Sequence, residues 1–441
     1  MSPGKLMVIG LDGVGLDLAR HLADKGVMPN LRGLMAQGKT FGCASPLPEV
    51  SPVCWTSMFS GTGPGVHGIF GFAEHKPGTY DLKPVDSSMV RAPRIWQDMH
   101  IRNQSSVVLN VPLTYPAEEV KGVMVSGFVT PDLRRGVRPL LLLPSLVQKD
   151  YRPEADLDMA SENPVELARD LEKALSVRLA VFEEMMAREW DLFVGVVTDT
   201  DRVNHFMWPA LFDQAHPLSE NALGLYALVD AFLGRVWQRV RGRVESGELS
   251  LMILADHGFG PVKSEVYLNA WLREKGYLKI AGEPGNEVIL PETLALALDP
   301  GRIYLHTASR FPNGKLVPGA YADSLLAEIA KGLKELCHGS FGRQEPVVEA
   351  VHWGRELFSG PYAHMGPDLA AVGARGYSLR AGLDKPEVFG LSHITGTHRP
   401  HDALALVLGR DISGRPPTEV AGLHGLMKQA LGMADSGTFE T

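Results

Sequence analysis

The sequence predicts an α/β protein with a three-layer α/β/α core around a mostly parallel central sheet, with insertions. Short unbroken apolar runs are typical of strands buried on both faces of a sheet. Such runs recur at residues 6–9, 106–110, 123–126, 192–197, 251–255 and 403–408. Segments with apolar residues at helical spacing lie between several of them, as at 167–182 and 219–243. This alternation of strands and helices favours parallel pairing.

The composition limits the classes of function. Of the 441 residues, 45% are hydrophobic and 21% are charged, which is typical of a globular chain with a substantial core. The formal net charge is −8, which argues against a protein that coats nucleic acid with a basic surface. A small anionic substrate remains compatible with this charge, because it requires only a local positive site.

Cysteine usage and hydropathy predict a cytoplasmic protein with no membrane partner. The three cysteines are an odd number without close pairing, which disfavours a disulfide framework and fits a reducing compartment. The N-terminal residues do not have a signal-peptide pattern. The most apolar run, at 140–146, is interrupted by Pro144 and is too short to span a bilayer.

The first predicted strand, at 6–9, is followed closely by Asp12 and Gly13. Open α/β sheets place their ligands at the carboxyl ends of strands. Asp12 is therefore a candidate functional residue. An Asp-Gly pair is also typical of a simple turn.

The segment at 50–68 contains a second candidate, Ser51. Between Ser51-Pro52 and Gly61 there is no further Gly or Pro. Serine is favoured as an N-cap, proline in the first helical turn and glycine at the end of a helix, so Ser51 is predicted to cap a helix that ends at Gly61. The free amides of a helix N-terminus favour an anion. Ser51 is accordingly either a simple cap or part of an anion site.

Two regions fit the core pattern less well. The residues near 130–190 include a stretch with scattered prolines, followed by a long helix for which Ser161 is the predicted cap. The residues near 280–345 are heterogeneous. We interpret both regions as insertions in a single domain that extends over residues 1–441.

The strand predicted at 192–197 leads into Asp199, Asp201 and His205. Asp201 and His205 are four residues apart, so on a helical turn they share one face. Asp199 does not have this spacing and is the weaker candidate. A salt bridge or a cap is the alternative explanation for the pair.

Two further segments carry histidines at predicted strand ends. The strand at 251–255 is followed by Asp256 and His257, and Gly258 permits a sharp turn after them. His398 precedes the last predicted strand, at 403–408. His401 lies nearby and is left outside the candidate set.

Together the candidates supply three carboxylates, three imidazoles and one hydroxyl: Asp12, Ser51, Asp201, His205, Asp256, His257 and His398. Mixed nitrogen and oxygen ligands of this kind suit zinc, with manganese as the main alternative. Two divalent ions could clamp the attacking and leaving oxygens of an in-line displacement, and one of them could activate the serine hydroxyl. Phosphoryl transfer is the chemistry that most needs such a site.

These motifs, in this order, resemble the alkaline phosphatase superfamily, in particular its type I phosphodiesterase/nucleotide pyrophosphatase-like branch. The resemblance is carried by Leu11-Asp12-Gly13, by Ser51-Pro52 through Gly61 and His67-Gly68, by Asp201-Arg-Val-Asn-His205, by Asp256-His257-Gly258 and by Gly396-Thr-His398. It implies an alkaline phosphatase-like catalytic domain. It also implies one metal ion held by Asp201, His205 and His398, and another held by Asp12, Asp256 and His257. Ser51 is then the nucleophile, and it bridges or faces both ions as part of the metal-ligand set.

The resemblance implies a metal-dependent phosphohydrolase that cleaves phosphate mono- or diesters through a phosphoserine intermediate on Ser51. Its partner is then a small phosphorylated substrate. One alternative is a cofactor-independent phosphomutase, which returns the phosphoryl group to another hydroxyl. A non-catalytic, metal-stabilised binding protein is the other. The sequence does not select among leaving groups or oligomeric states.

Overall fold

The computed structural model of the protein describes residues 4–155, 163–282, 285–339, 344–409 and 415–433. The chain divides into two compact units. The first unit comprises Met1–Thr62, Asp86–Phe259 and His398–Thr441, and the second comprises Gly63–Val85 and Gly260–Thr397. All seven predicted site residues belong to the first unit. The single domain over 1–441 stays a prediction.

The elements are numbered in chain order. The described strands are β1 Lys5–Leu11, β2 Lys39–Cys43, β3 Ala73–His75, β4 Leu82–Pro84, β5 Ser106–Leu109, β6 Gly122–Val125, β7 Val137–Arg138, β8 Leu192–Val197, β9 Leu249–Leu254, β10 Gly258–Tyr267, β11 Ile280–Ala281, β12 Val288–Ile289, β13 Ala295–Leu298, β14 Arg302–Leu305, β15 Cys337–His338, β16 Glu345–Pro346, β17 Val348–Trp353, β18 Leu369–Gly373, β19 Gly376–Arg380, β20 Phe389–Gly390, β21 Gly396–Arg399 and β22 Ala403–Leu408. The described α-helices are α1 Leu16–Asp24, α2 Pro29–Gln37, α3 Ser51–Ser60, α4 Pro64–His67, α5 Ile95–Ile101, α6 Leu143–Gln148, α7 Pro164–Met186, α8 Asp199–Met207, α9 Ser219–Glu245, α10 Leu268–Glu274, α11 Ala320–Lys334, α12 Gly354–Leu357 and α13 Leu423–Ala430.

An eight-stranded sheet forms the centre of the first unit, in the order β2-β22-β9-β1-β8-β5-β6-β7. Five neighbouring strands are parallel to one another, namely β9, β1, β8, β5 and β6. Strand β22 runs antiparallel to both β2 and β9, and β7 runs antiparallel to β6. The prediction of a mostly parallel central sheet is confirmed.

Two glycines in neighbouring strands show that helices cover both faces of this sheet. Gly10 of β1 is level with Val196 of β8, and Gly195 precedes Val196, so the two glycines face opposite sides. A Cβ atom at Gly10 would meet Trp55 of α3, whereas one at Gly195 would meet Phe182 of α7. Helices α3 and α7 therefore pack on opposite faces. The predicted three layers are confirmed.

Of the two regions interpreted as insertions, the one near 130–190 lies in the first unit, where β7 joins the central sheet and α7 packs on it. The region near 280–345 lies in the second unit. There β13, β14, β18 and β17 form a four-stranded antiparallel sheet, and α11 packs against β17. This unit has its own apolar core.

The predicted role of Ser51 as a helix cap is wrong. Helix α3 begins at Ser51 itself, and its N-cap is Val50, which makes no side-chain cap bond. The amides of Val53 and Cys54 both donate to the Val50 carbonyl, and Pro52 has no amide hydrogen. These amides are therefore not free for an anion. The predicted end is correct, because Gly61 adopts the left-handed conformation with φ 68°.

The long helix predicted after residue 161 is α7. It begins at Pro164, and Asn163 is its N-cap, with a side-chain oxygen that accepts from the Glu166 amide. Ser161, the predicted cap, lies outside the described residues. Within the described part of the chain, no helix combines the length and the apolar character needed to cross a membrane.

Gly10 leads to a prediction about stability. In Gly10→Ala the new Cβ would lie 2.6 Å from Trp55 Cη2 and 2.8 Å from Val196 Cγ2. Overpacking of a closely packed core costs about 1–3 kcal/mol, and we expect this loss of unfolding free energy in urea denaturation. The matched control is Gly33→Ala in α2, where a Cβ meets nothing within 4 Å. It should stabilise the protein by up to about 1 kcal/mol. Equal midpoints for the two variants would contradict the prediction.

Candidate active site

Three adjacent parallel strands bring the acidic candidates together. In the sheet β1 lies between β9 and β8, and the carboxyl ends of all three strands meet at one edge. Asp12 directly follows β1, Asp256 follows β9 after one residue, and Asp201 lies in the first turn of α8, which follows β8. All three carboxylates are buried. The strand-end pattern in the sequence therefore corresponds to real proximity.

Asp12 is held by hydrogen bonds on both carboxylate oxygens. Trp55 Nε1 donates to Oδ2 at 3.0 Å, and Ser51 Oγ donates to Oδ1 at 3.2 Å. The hydroxyl of Thr200 donates to the Asp12 carbonyl at 2.7 Å. These contacts link the end of β1 to α3 and α8.

Ser51 contacts two of the other candidate residues. It is 1% exposed, and its Oγ is 3.4 Å from His257 Nε2 in addition to its contact with Asp12. The start of α3 thus presents the hydroxyl to a carboxylate and an imidazole rather than to the helix's own amides. This arrangement is one that a simple N-cap would not have.

A first cluster consists of Asp201, His205 and His398. One ligand atom from each residue lies within 4.8 Å of the others. His398 Nε2 is 3.1 Å from Asp201 Oδ1 and 3.0 Å from His205 Nε2. His205 Nε2 is 3.5 Å from Asp201 Oδ2, across one turn of α8 as the spacing predicted. His398 precedes β22, which runs antiparallel to β9, so it arrives at the same edge of the sheet.

A second cluster consists of Asp12, Asp201 and His257, again with ligand atoms within 4.8 Å of one another. Asp201 is common to both clusters. Asp256 lies beside the second cluster: its Oδ1 accepts from the Gly13 amide at 3.1 Å, and its Oδ2 is 3.2 Å from His257 Nε2. All seven predicted residues are therefore brought together in the first unit.

The imidazole hydrogen bonds indicate that this site suits a cation. His398 Nδ1 lies 2.8 Å from the Glu49 carbonyl, and His257 Nδ1 lies 3.1 Å from the Gly258 carbonyl. A carbonyl only accepts, so each Nδ1 carries a hydrogen, and in the neutral imidazole each Nε2 then presents a lone pair to the carboxylates. Among the described residues Asp256 Oδ2 is buried without a hydrogen-bond donor. Lone pairs that face carboxylates in a buried site fit a bound metal ion.

The pKa shifts follow from the concentration of buried carboxylates. Burial raises the pKa of Asp12 well above its usual range, and the neighbouring carboxylates Asp256 and Asp201 raise it further. Burial also raises the pKa of Asp256 to about 7. Burial acts in the same direction on Asp201, but the histidines of its cluster and Arg202 outweigh it and lower the pKa of that carboxyl. Without a cation, therefore, not all of these carboxyls ionise easily.

An aromatic residue that the sequence analysis did not select, Phe259, contacts all three imidazoles. Its ring centroid is 4.8 Å from that of His205, 5.2 Å from His398 and 6.0 Å from His257. On its other side it stacks on Trp208 at 5.7 Å. Phe259 thus forms an apolar wall of the site. Its place two residues after His257 is the signal that could have identified it.

Other polar candidates have structural roles. Asp199 forms a buried ion pair with Arg178, which explains why it does not join the clusters. Cys54 is fully buried within α3, and burial raises the pKa of its thiol. In the second unit, His67 Nδ1 accepts from the Ile69 amide at 3.2 Å, as expected for a structural histidine.

The family model described as type I phosphodiesterase / nucleotide pyrophosphatase matches residues 6–400. No curated protein sequence gives a significant match.

Two solved structures illustrate the fold similarity. Phosphonoacetate hydrolase from Sinorhizobium meliloti 1021, in complex with phosphonoformate, is 17% identical, with a TM-score of 0.64 over 97% of this chain and 95% of that one. An inactive form of murine ectonucleotide pyrophosphatase / phosphodiesterase 5, in complex with AMP, is 13% identical, with a TM-score of 0.59 over 99% of this chain and 98% of that one. At these identities the similarity concerns the fold.

Proposed function

The chain belongs to the type I phosphodiesterase / nucleotide pyrophosphatase family of the alkaline phosphatase superfamily, whose members are hydrolases that act on phosphoester bonds. From this premise we propose that it is a metal-dependent phosphohydrolase with two divalent ions and Ser51 as its nucleophile. The observation that carries the proposal is the buried Ser51 hydroxyl, which contacts Asp12 and His257, together with the two clusters of carboxylate and imidazole groups whose ligand atoms lie within 4.8 Å of one another in each cluster.

In this proposal Asp201, His205 and His398 would hold one ion, and Asp12, Asp256 and His257 would hold the other. Zinc is the proposed metal, because the donors are imidazole nitrogens and carboxylate oxygens, and manganese is the alternative. When bound, such ions polarise phosphoryl oxygens, neutralise negative charge and lower the pKa of a coordinated hydroxyl.

The proposed reaction has two displacements. Ser51 Oγ gives up its proton to solvent and forms a bond to phosphorus while the bond from phosphorus to the leaving oxygen breaks. The products are a phosphoserine and an alcohol, whose oxygen takes up a proton from solvent. Asp12 Oδ1 accepts the hydrogen bond from Ser51 and so orients the hydroxyl before attack. Water then attacks phosphorus and loses a proton to solvent while the bond from phosphorus to Ser51 Oγ breaks and the serine oxygen takes up a proton. The product is phosphate from a monoester substrate or a phosphate monoester from a diester substrate. The aromatic wall at Phe259 restricts the access of bulk water on its side of the site.

The substrate is proposed to be a small phosphorylated molecule, because the solved relatives named above bind phosphonoformate and AMP. We also propose a cytoplasmic location, which is consistent with the three free cysteines.

A metal-dependent activity panel tests the proposal. The protein is analysed for bound metal, stripped, reloaded with Zn²⁺ or Mn²⁺, and assayed on aryl phosphate monoesters, aryl phosphate diesters, a nucleotide diester and phosphonoacetate. We expect hydrolysis of at least one ester class that disappears on stripping and returns on reloading. Isomer exchange of phosphoglycerate without free phosphate would instead indicate a phosphomutase. Bound metal with no turnover on any substrate would indicate a binding protein.

A further inference from the structure

Arg202 makes a contact that its position on the helix does not explain. It directly follows Asp201 in α8, and its Nη1 donates to Asp201 Oδ2 at 2.9 Å. Side chains of consecutive helical residues point in different directions and do not normally face each other. The contact between Arg202 and Asp201 therefore requires support from outside α8.

Two other segments supply this support. Nη2 of Arg202 donates to Glu154 in a close charge-assisted hydrogen bond. The guanidinium carbon also lies 5.0 Å from the centre of the Phe128 ring, at a distance typical of a cation–π contact. Only 15% of the Arg202 side chain is exposed. The guanidinium is thus fixed between a carboxylate, an aromatic ring and Asp201.

We propose that Arg202 is a positioning residue that fixes the orientation of the Asp201 carboxylate for metal binding. This inference rests on the proposed function. The hydrogen bond to Oδ2 limits rotation of the carboxylate and leaves Oδ1 directed at His398 Nε2, 3.1 Å away. Asp201 is a proposed ligand of the first ion, and its carboxylate also lies within 4.8 Å of the ligand atoms of Asp12 and His257. Hydrogen-bond partners of metal-ligating carboxylates commonly contribute 10- to 100-fold to metal affinity.

Glu154 has a second part in this arrangement. A lone guanidinium beside the clusters would repel divalent cations, whereas the Arg202–Glu154 pair has no net charge. The geometry of the guanidinium fork matters here, because only a fork can donate to Asp201 and Glu154 with two separate nitrogens.

The test is a Zn²⁺ competition titration of metal-free protein against a chromophoric chelator. We expect Arg202→Met to bind Zn²⁺ at least about 10-fold more weakly than wild type. Arg202→Lys keeps the charge but loses the fork, and its affinity should be intermediate. The matched control is Arg235→Met, which removes an exposed arginine paired with Glu183 and should leave the affinity unchanged.

A double-variant cycle separates positioning from general destabilisation. If Arg202 and Glu154 act as one unit, Arg202→Met combined with Glu154→Gln should lose no more affinity than Arg202→Met alone. Thermal melts without metal establish that each variant is folded. If Arg202→Met does not fold, the Zn²⁺ affinities of Arg202→Lys and Glu154→Gln are compared with that of wild type instead.

The outcomes distinguish this inference from the proposed function. Unchanged Zn²⁺ affinity in Arg202→Met overturns the inference. If this variant also has a raised KM for the substrate, Arg202 contacts the substrate instead. Zn²⁺ binding without hydrolysis in wild type overturns the proposed function alone. A wild-type protein that binds no divalent ion overturns both.

Discussion

Ser51→Ala is expected to lower kcat on phosphate esters by at least about 10³-fold, in line with the loss that follows removal of an activated nucleophile. The physical reason is that Ser51 Oγ is the one hydroxyl found in contact with both Asp12 and His257 among the described residues. The other six candidate side chains remain in this variant. Metal analysis should therefore show retained ions, so that the loss concerns the chemical step. The measurement is steady-state turnover together with quenched-flow detection of a phosphoserine peptide.

The matched control is Ser60→Ala in the same helix. The Ser60 hydroxyl donates to the Thr56 carbonyl at 2.7 Å, and Ser60 is a member of neither cluster. Its removal should cost about 1 kcal/mol of stability and leave turnover unchanged. Normal turnover by Ser51→Ala would exclude the phosphoserine mechanism. Phosphoserine formation with transfer to a second hydroxyl, and without release of phosphate, would favour the phosphomutase.

Removal of the divalent ions is expected to lower kcat/KM by at least about 10³-fold and to lower the melting temperature. The bound ions are expected to contribute several kcal/mol of transition-state stabilisation. Loss of this stabilisation corresponds to such a factor, because each 1.36 kcal/mol changes the rate about tenfold. Binding of a ligand at 1,000 times its dissociation constant stabilises the native state by about 4 kcal/mol. Calorimetry with and without Zn²⁺ measures this difference.

A variant that lacks one proposed metal-ligating side chain tests the stabilisation by Zn²⁺ without a chelator. His205→Ala removes one imidazole of the first cluster, so we expect it to bind less metal and to gain less stability from added Zn²⁺. His100→Ala, at an exposed position of α5, is the control and should respond to Zn²⁺ as wild type does. A melting temperature that does not depend on Zn²⁺ in the wild type would contradict a buried metal site.

Much of the fold and the candidate set could be predicted because the signals are local. The sequence of a buried parallel strand is an unbroken apolar run. An acidic residue directly after such a run lies at the edge where these sheets bind ligands. Asp12 and Asp256 were found in this way. Asp201 was distinguished from Asp199 by its four-residue spacing to His205, and the structure gives the reason, because Asp199 is paired with Arg178.

The remaining features depend on contacts between distant segments, which no local pattern encodes. The cap predicted at Ser51 was wrong by one residue, because serine, proline and glycine preferences do not fix where a buried helix starts. The hydrogen bond from Trp55 to Asp12 joins two separate segments, and Phe259 forms an apolar wall only because its ring meets His205 and His398 from other segments. The link between Arg202 and Glu154 is of the same kind.

The antiparallel strand β22 has a consequence for the order in which the protein acquires its site during synthesis. His398 contacts the Glu49 carbonyl across 349 residues, and it reaches Asp201 only when β22 has paired with β9. A ribosome-bound chain that has not yet exposed β22 can form the neighbouring parallel strands while the first cluster still lacks one of its imidazoles. Domains of this size commonly fold through intermediates. If the first cluster holds a metal ion as proposed, its three ligands are complete only after His398 has been synthesised and β22 has joined the sheet.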